Sequence, residues 1–408
     1  MRLTTNMIYN QGLSAVTSRQ SKLVDVQNQL ARETKILTPA DDPAGKAQAL
    51  ALTDRIKQNE QFQKNSDLVV NDLQRQESVL SNITDSMFRA KELFVQAGNG
   101  ALSADDRKAL ALELEVLRDN SLDMMNAQNE NGDYMFSGYQ TEVLPFTFNA
   151  QTGVYDYNGD NGKKNVQITS SLRVQSSSPG SEAFQQTPVE LKARVGNVTG
   201  ALTGGTTLVA DRPQWNDFHQ ANYDKENPGN NLYTVEFAAD GASYEVVDST
   251  GAVVQAAVPY ADGDAVEFNG MELYPEGNVD GGTVEFRLSQ PQQNIATVFN
   301  DMINVMNDET LSSEQLSQAI EFSISDLASA ENSLGSVRAK TGSRLNSAEN
   351  AKMTNVDFEI ANKETRSKIQ DVDYAEAMTE LTKQDTALQA AQATFTRITR
   401  LSLFDYLR

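Results

Sequence analysis

The feature that most constrains this chain is a seven-residue spacing of apolar side chains near both of its ends. At the start, the repeat consists of Tyr9, Val16, Leu23, Leu30 and Leu37. A seven-residue period keeps apolar side chains on one face only when helices wind slightly around a partner. The spacing therefore predicts a long helix that packs against another helix.

The same spacing recurs twice further along the chain. A central repeat comprises Leu73, Leu80, Met87 and Phe94, and Val69, Ile83 and Ala90 stand four residues before three of them. A repeat near the end comprises Tyr374, Leu381, Leu388 and Phe395. We expect the central set to form a core within the subunit. For the two terminal sets, the residues alone leave an intramolecular bundle and packing between subunits equally open.

Helix punctuation agrees with these repeats. Asp42 can cap a helix whose first residue is Pro43, and no proline follows until after residue 97. A continuous helix of that length would span roughly 80 Å at about 1.5 Å per residue. Residues 98–100 end it, and Ser103 can start another helix with Leu110, Leu114 and Leu117 on one face.

The middle of the chain favours β-structure. Apolar residues alternate with polar ones in short runs, and glycines recur about every ten residues, as in a small antiparallel sandwich or barrel. Residues 155–157 and 166–168 flank a glycine-rich turn, which predicts a β-hairpin near 154–170. The chain is therefore expected to be mainly α, an antiparallel bundle or coiled coil built from both ends, with an inserted all-β domain.

Composition excludes several classes of function. The 408 residues contain no cysteine and one histidine, which disfavours thiol catalysis, zinc-thiolate sites and histidine-rich metal sites. The net charge of −22 disfavours binding to nucleic acid and to anionic membranes. No signal-peptide pattern opens the sequence, and no apolar run reaches the roughly 20 residues that cross a bilayer.

Isolated motifs add no catalytic residue, metal site or cofactor. His219 is expected in a surface loop, and the acidic residues at 156–160 and 262–264 in turns, because neither segment has the spacing of a calcium loop. Residues 177–181 are expected to form a linker. The aromatic residues Trp215, Tyr223 and Tyr233 could form a carbohydrate-binding patch, although a β-domain core explains them better. We expect no enzymatic activity.

Two segments carry a family resemblance. Residues 36–47, which include Asp41, Asp42, Pro43 and Gly45, resemble the motif that joins the terminal helix to the long core helix in the flagellin family. Residues 374–384 resemble the C-terminal helix of that family. The acids, the proline and the glycine fall in a fixed order between helices, which makes the first motif fairly specific.

A third segment narrows the resemblance. Residues 126–138, which include Tyr134, Phe136, Ser137 and Gly138, are similar to the version carried by family members that stand at the junction between hook and filament. Filament flagellins usually carry a different version. A filament-forming flagellin is the alternative interpretation.

The resemblance implies three domains and a set of partners. Residues 1–42 with 360–408 would form an inner tube, 43–187 with 291–359 a helical bundle, and 188–290 an outer β-domain. The subunit would form a ring between the first hook-associated protein and flagellin. It would leave the cell unfolded through the flagellar type III apparatus, without a cleaved signal, after an export chaperone has bound its C-terminal segment.

The terminal helices have a physical reason to be functional. A lone helix with a narrow apolar stripe cannot bury that stripe, and isolated helices are marginal in water. We therefore expect both ends to be disordered in the monomer and to fold when neighbouring subunits cover them. The candidate interface residues are Val16, Leu23, Leu30, Tyr374, Leu381, Leu388, Phe395, Leu403, Phe404 and Tyr406.

Overall fold

The computed structural model describes residues 5–100, 102–150 and 153–406. Within these residues the chain is mainly helical, with its strands between α3 and α5, so the predicted class is confirmed at this level. The α-helices are α1 (Thr5–Arg32), α2 (Pro43–Ala97), α3 (Ala104–Met125), α4 (Arg212–Asn222), α5 (Ile295–Asn307), α6 (Ser313–Gln370) and α7 (Tyr374–Tyr406).

Short strands occupy the middle of the chain, interrupted by a π-helical turn (Ser181–Gln185), α4 and a 3₁₀ turn (Pro228–Asn231). The strands are β1 (Phe146–Asn149), β2 (Val154–Tyr157), β3 (Asn165–Gln167), β4 (Arg173–Gln175), β5 (Thr187–Pro188), β6 (Ala193–Val198), β7 (Ala201–Val209), β8 (Leu232–Phe237), β9 (Ser243–Asp248), β10 (Val253–Pro259), β11 (Val266–Phe268), β12 (Met271–Asn278), β13 (Thr283–Leu288) and β14 (Gln292–Gln293).

The described residues fall into two compact units. The first contains the chain up to Asp67, the segment Gln167–Leu172 and the chain from Glu349 onward. The second contains Leu68–Val166 and Arg173–Ala348. The strands from β6 to β13 belong to the second unit together with α3, α4 and α5. The three domain boundaries expected from the sequence remain a prediction.

In the first unit, the long helices α2 and α6 run antiparallel. Asp67 forms an ion pair with Lys352 at 2.6 Å, and the Gln63 amide donates to Glu359 at 2.6 Å. Nearer the start of α2 and the end of α6, Arg366 donates to the Thr53 hydroxyl at 3.5 Å. Because residue numbers rise along one helix as they fall along the other, these contacts fix the antiparallel direction.

In the second unit, the central heptad residues form a core as predicted. All seven side chains from Val69 to Phe94 in that repeat are fully buried. The Ser103 hydroxyl accepts from the Asp106 N–H while the Asp106 carboxylate accepts from the Ser103 N–H, so a capping box starts α3. Leu114 on α3 is buried, and Leu110 and Leu117 pack against the same core.

The β-region forms two main antiparallel sheets. One has the order β10-β9-β8-β13-β6, and the other has the order β11-β12-β7. Side chains from both sheets and from α4 share one buried core, which includes Trp215, Tyr233, Phe268 and Phe286. The packing interpretation of Trp215 and Tyr233 is therefore confirmed, and Tyr223 packs against the edge of this core.

The predicted hairpin near 154–170 is wrong. β2 pairs with β1, with Tyr155 opposite Phe148, and β3 pairs with β4. The glycine-rich segment 158–162 is thus a connection between two separate hairpins. Alternating apolar residues identified the strands, but the pairing depends on which partner completes a buried face, which local sequence does not specify.

The expected surface-loop position of His219 is also wrong. His219 lies on α4 and is almost completely buried, with its ring stacked on Tyr223 at 5.4 Å. Its Nε2 donates to the carbonyl oxygen of Ser289 at 2.9 Å. Burial lowers the pKa of His219 below its ordinary value.

The segment 177–181 is not a free linker. Ser177 and Ser178 are buried, and the Ser178 hydroxyl accepts from Arg344 Nη1 at 3.0 Å. The Gly180 N–H donates to the Phe136 carbonyl at 2.7 Å. Small polar residues suggest exposure, but here their small size allows the backbone to enter a core.

Candidate assembly interface

The two connectors next to the terminal helices are bonded to each other. Thr34, after α1, and Asp371, after α6, form an antiparallel β-bridge. The Lys35 N–H donates to the Gln370 carbonyl at 2.8 Å, and the Val372 N–H donates to the Glu33 carbonyl at 3.2 Å. The bases of α1 and α7 are therefore held side by side by backbone hydrogen bonds.

The motif at residues 36–47 shapes the turn into α2. The Asp41 carboxylate accepts from the Thr38 N–H at 2.7 Å, and the Asp42 carboxylate accepts from the Gly45 N–H at 2.9 Å. A β-carbon at Gly45 would overlap the Asp42 carboxylate, so the position accepts only glycine without rearrangement. These residues act by fixing the backbone, and Pro43 is the first residue of α2.

The terminal helices α1 and α7 pack antiparallel in the first unit. Near their free ends the rings of Tyr9 and Phe395 lie 5.2 Å apart, and a β-carbon on Gly12 would lie 2.8 Å from the Phe395 ring. Nearer the connectors, Arg19 donates to the Gln384 amide oxygen at 3.3 Å. The two apolar stripes predicted from the sequence thus meet each other within one chain.

This pairing covers the stripes only in part. Six of the predicted residues remain half-buried: Val16, Leu23, Leu30, Leu381, Leu388 and Phe395. Tyr374 is 53% exposed, and its hydroxyl donates to Glu33 at 3.1 Å. The side chains of Leu403, Phe404 and Tyr406 lie outside the described residues. The role of all these residues between subunits remains a prediction.

Sequence reasoning missed other exposed apolar residues of the first unit. Met7, Leu13 and Val24 on α1 and Met378 on α7 are between 45% and 60% exposed and were not among the predicted interface residues. A further exposed set on α2 and α6 comprises Leu50, Met353, Val356, Phe358 and Ile360. A search for one apolar residue every seven positions gives no signal for apolar residues that do not recur at that interval.

The signature at residues 134–138 lies in the second unit and builds a core. Phe136 is fully buried and meets the Phe184 ring edge-on at 4.8 Å. The Tyr157 hydroxyl donates to the Phe136 carbonyl at 2.9 Å, and the Tyr157 ring packs on Phe146 at 5.1 Å. Burial raises the pKa of Tyr157 to about 12.

The polar residues of the signature hold the chain around this cluster. The Ser137 hydroxyl donates to the Tyr134 carbonyl at 3.0 Å, and the Ser137 carbonyl accepts from the Asp160 N–H at 3.1 Å. Gly138 has a φ of 76° and lies against Asp160. The family signature therefore specifies internal packing of the subunit.

A charge cluster lies beside the signature. The Glu182 carboxylate accepts from Lys163 at 2.7 Å and from Lys340 on α6 at 2.8 Å. These two hydrogen-bonded ammonium groups lower the pKa of Glu182 to about 2. The three side chains join the loop after β2, the π-helical turn and α6.

The described residues contain neither a candidate metal-binding cluster nor a candidate membrane-spanning helix. Among them, no group of three or more histidine and acidic residues could hold a metal ion. None of the helices in the described part is both long and apolar enough to cross a membrane. The prominent features are instead the exposed apolar faces of long helices.

Comparison with known proteins gives this architecture a context. The family model for the N-terminal helical region of bacterial flagellin matches residues 3–141, and the model for the C-terminal helical region of bacterial flagellin matches residues 317–407. Both ends of the chain are thus flagellin-like, and the β-region lies between the two matches.

Named relatives narrow the comparison. The flagellar hook-associated protein 3 of Escherichia coli K12 is 30% identical over 62% of this chain and 83% of its own length. That of Salmonella typhimurium is 24% identical over the full length of both chains. A crystal structure of the flagellar junction protein FlgL from Legionella pneumophila is 27% identical, with a TM-score of 0.52 over 79% of this chain and 100% of that one.

Filament flagellins match more distantly. The chain belongs to the flagellin family and, within it, to the group of hook-associated protein 3. The resemblance carried by residues 36–47, 126–138 and 374–384 is therefore confirmed.

Proposed function

We propose that this chain is a structural, non-enzymatic subunit of the bacterial flagellum at the junction between hook and filament. The observation that carries the proposal is the incompletely covered pair of terminal helices in a chain of the hook-associated protein 3 group. α1 and α7 meet through their heptad stripes, yet Leu13, Val24 and Met378 remain about half exposed.

The partners of these surfaces follow from the position of such a subunit. Copies of the chain would form a ring that contacts the first hook-associated protein on one side and flagellin on the other. Each large apolar side chain that becomes buried would contribute about 1.5–3 kcal/mol. Several such side chains per contact suffice to order two helices that are marginal in isolation.

Export belongs to the same proposal. The subunit would reach the outside of the cell through the flagellar type III apparatus, with its C-terminal segment held by a chaperone before export. A chain without cysteine is compatible with passage in an unfolded state, because no disulfide can cross-link it. In the assembled ring, we propose that residues 188–290 form the outward-facing domain, with its two sheets packed as a sandwich.

Charge substitutions on exposed apolar residues test the assembly mechanism. Leu13→Glu and Met378→Glu should leave the monomer folded but prevent filaments from staying attached to hooks, since each buries a charge in the subunit contact. Gln392→Glu adds the same charge to α7 at an exposed polar position and should leave attachment intact. Normal attachment with both apolar residues replaced would refute this mechanism.

A filament-forming flagellin is the alternative outcome. Electron microscopy of labelled protein on intact flagella separates the two functions, because a junction protein gives one spot at the distal end of the hook. Label along the whole filament, or long filaments grown from the purified chain alone, would overturn the junction assignment.

A further inference from the structure

One face of α6 forms a docking surface for the β-region, defined here by Gln315, Gln318, Phe322 and Asp326. Spacings of three, four and four residues place these side chains on one side of the helix. All four residues, and the strands that they contact, belong to the second compact unit. The docking surface is therefore internal to one subunit.

Two glutamines hold the beginning of this surface. The Gln318 amide both accepts from the N–H of Val209 and donates to its carbonyl oxygen, each at 2.8 Å. One turn earlier, Gln315 donates to the Thr206 hydroxyl at 2.6 Å. β7 is thereby hydrogen-bonded to α6 at two of its residues, Thr206 and Val209.

Phe322 brings α6 into the core of the β-region. Its side chain is buried with Trp215 and the sheet residues of that core. Arg212 and Lys192 lie over its ring, at 4.7 Å and 5.6 Å from the ring centre. Phe322 thus combines apolar packing with cation–π contacts, and neither interaction requires one precise orientation of the ring.

Asp326 supplies a second directional contact, in addition to the glutamine hydrogen bonds to β7. It is 3% exposed, its Oδ2 lies 2.7 Å from Lys192 Nζ, and its Oδ1 accepts from the Glu190 N–H at 2.5 Å. The neighbouring Ser325 hydroxyl donates to the Glu190 carboxylate at 2.7 Å. Two consecutive residues of α6, Ser325 and Asp326, thus bind the segment that leads into β6.

An ion pair between the buried Asp326 and the partly exposed Lys192 is a poor source of stability. Taking the carboxylate out of water costs about as much as the attraction returns, and apolar residues of similar volume often replace buried ion pairs without loss. Burial raises the pKa of the Asp326 carboxyl although Lys192 and the Glu190 N–H lower it. The hydrogen bond from the Glu190 N–H to Asp326 Oδ1 does, however, favour one direction of approach, which an apolar contact does not.

We infer that the Asp326–Lys192 pair fixes the orientation of the β-region on α6, while Phe322 and the surrounding core supply the stability of the contact. Asp326 is a positioning residue in this sense. The consequence is that the β-region projects from the helices at one defined angle. The inference concerns the isolated subunit, so it stands or falls independently of the junction role.

Distance measurements between spin labels test the inference. The chain has no cysteine, so Ser249→Cys in the β9–β10 turn and Ser336→Cys on α6 place two labels at exposed positions without any further change. The first variant to measure replaces the pair by apolar residues of similar size, Lys192→Met with Asp326→Leu. A matched control replaces the exposed pair Arg89 and Glu113, 2.7 Å apart, as Arg89→Met with Glu113→Leu.

The unmodified pair should give one narrow distance peak. The Lys192→Met, Asp326→Leu variant should lose that peak to a broad distribution while its urea unfolding midpoint stays the same or rises; the control should keep the peak. Should the double variant fail to fold, Asp326→Asn keeps the shape of the side chain and should broaden the peak. An unchanged narrow peak in the folded Lys192→Met, Asp326→Leu variant, or in Asp326→Asn if that variant alone folds, overturns the inference.

Discussion

Gly138 lies so close to Asp160 that a β-carbon at position 138 would overlap the Asp160 carboxylate. The same carboxylate accepts from the Tyr139 N–H at 2.9 Å and from the Gly162 N–H at 2.6 Å, so it has little freedom to move away. The glycine of the family signature is thus required by a residue that lies well beyond the signature in the sequence.

Replacement of this glycine should be costly. Gly138→Ala combines a positive φ of 76° with the contact to Asp160, and we expect a loss of about 2–4 kcal/mol in the free energy of unfolding. Gly132→Ala is the control, because Gly132 has a φ of 85° but, apart from its own chain neighbours, no residue lies within 4 Å of the place where a β-carbon would stand. It should lose only about 1–2 kcal/mol. Equal losses in urea titrations would contradict the steric argument.

His219 should make stability depend on pH in mildly acidic solution. Its pKa is lowered by burial, so the native state takes up its proton at a lower pH than the unfolded chain does. The free energy of unfolding therefore does not depend on His219 above the unfolded pKa of about 6.5. It falls as the pH drops below that value, by at most about 1.4 kcal/mol per pH unit. Urea unfolding at pH 7.5 and 5.5 measures this change.

The control for this prediction is His219→Asn. The chain has no other histidine, so the variant should lose the slope between pH 7.5 and 5.5 even if it is less stable overall. A slope that persists unchanged in His219→Asn would assign the effect to other groups.

Glu182 should contribute stability that acid removes. Because its folded pKa is about 2, its contribution is present above the ordinary value of about 4.5 and is lost as the pH falls towards 2. Both lysine partners are about half exposed, so we expect only about 1 kcal/mol. Glu182→Gln should lose that amount at pH 7 and little at pH 2.5. A larger deficit at pH 2.5 than at pH 7 would contradict the assignment.

Removing the Asp42 cap should weaken the start of α2. Asp42→Ala deletes the acceptor for the Gly45 N–H, and we expect a loss of about 1 kcal/mol in the free energy of unfolding. Asp54→Ala changes an exposed acid in the interior of the same helix and should cost much less. Hydrogen exchange at the first turn of α2 checks that the loss is local.

The long helices could be predicted from the sequence because their signals are local and repeated. The central heptads identified side chains that are fully buried, and Ser103 and Pro43 marked the first turns of two helices. In each case the required spacing, cap or proline lies within one or two helical turns. Such signals do not depend on which distant segment of the chain the helix packs against.

The errors have the opposite character. α4 was not predicted, because its eleven residues lie in a glycine-rich and acidic region whose turns dominate the local pattern. His219 therefore seemed exposed, although Ser289, 70 positions away, accepts its hydrogen bond. The partners of β2 and β3 were missed for another reason. Each strand has a neighbour on either side in the sequence, and the local pattern does not show that β2 pairs back with β1 and β3 pairs forward with β4.

The candidate interface was predictable only in outline. Heptad spacing located the faces of α1 and α7 that meet, but not that Leu13, Val24 and Met378 stay exposed. Exposure depends on how far a second helix covers the first, which is a property of the packed pair. Whether neighbouring subunits cover the remainder stays a prediction.

The bridge between Thr34 and Asp371 gives the chain a mechanical closure. Backbone hydrogen bonds tie the two connectors together, so a pull on either terminal helix is divided between the start of α2 and the end of α6. A load entering at one end of the polypeptide thus leaves through two long helices at once. Such sharing lowers the strain that any single connector must bear.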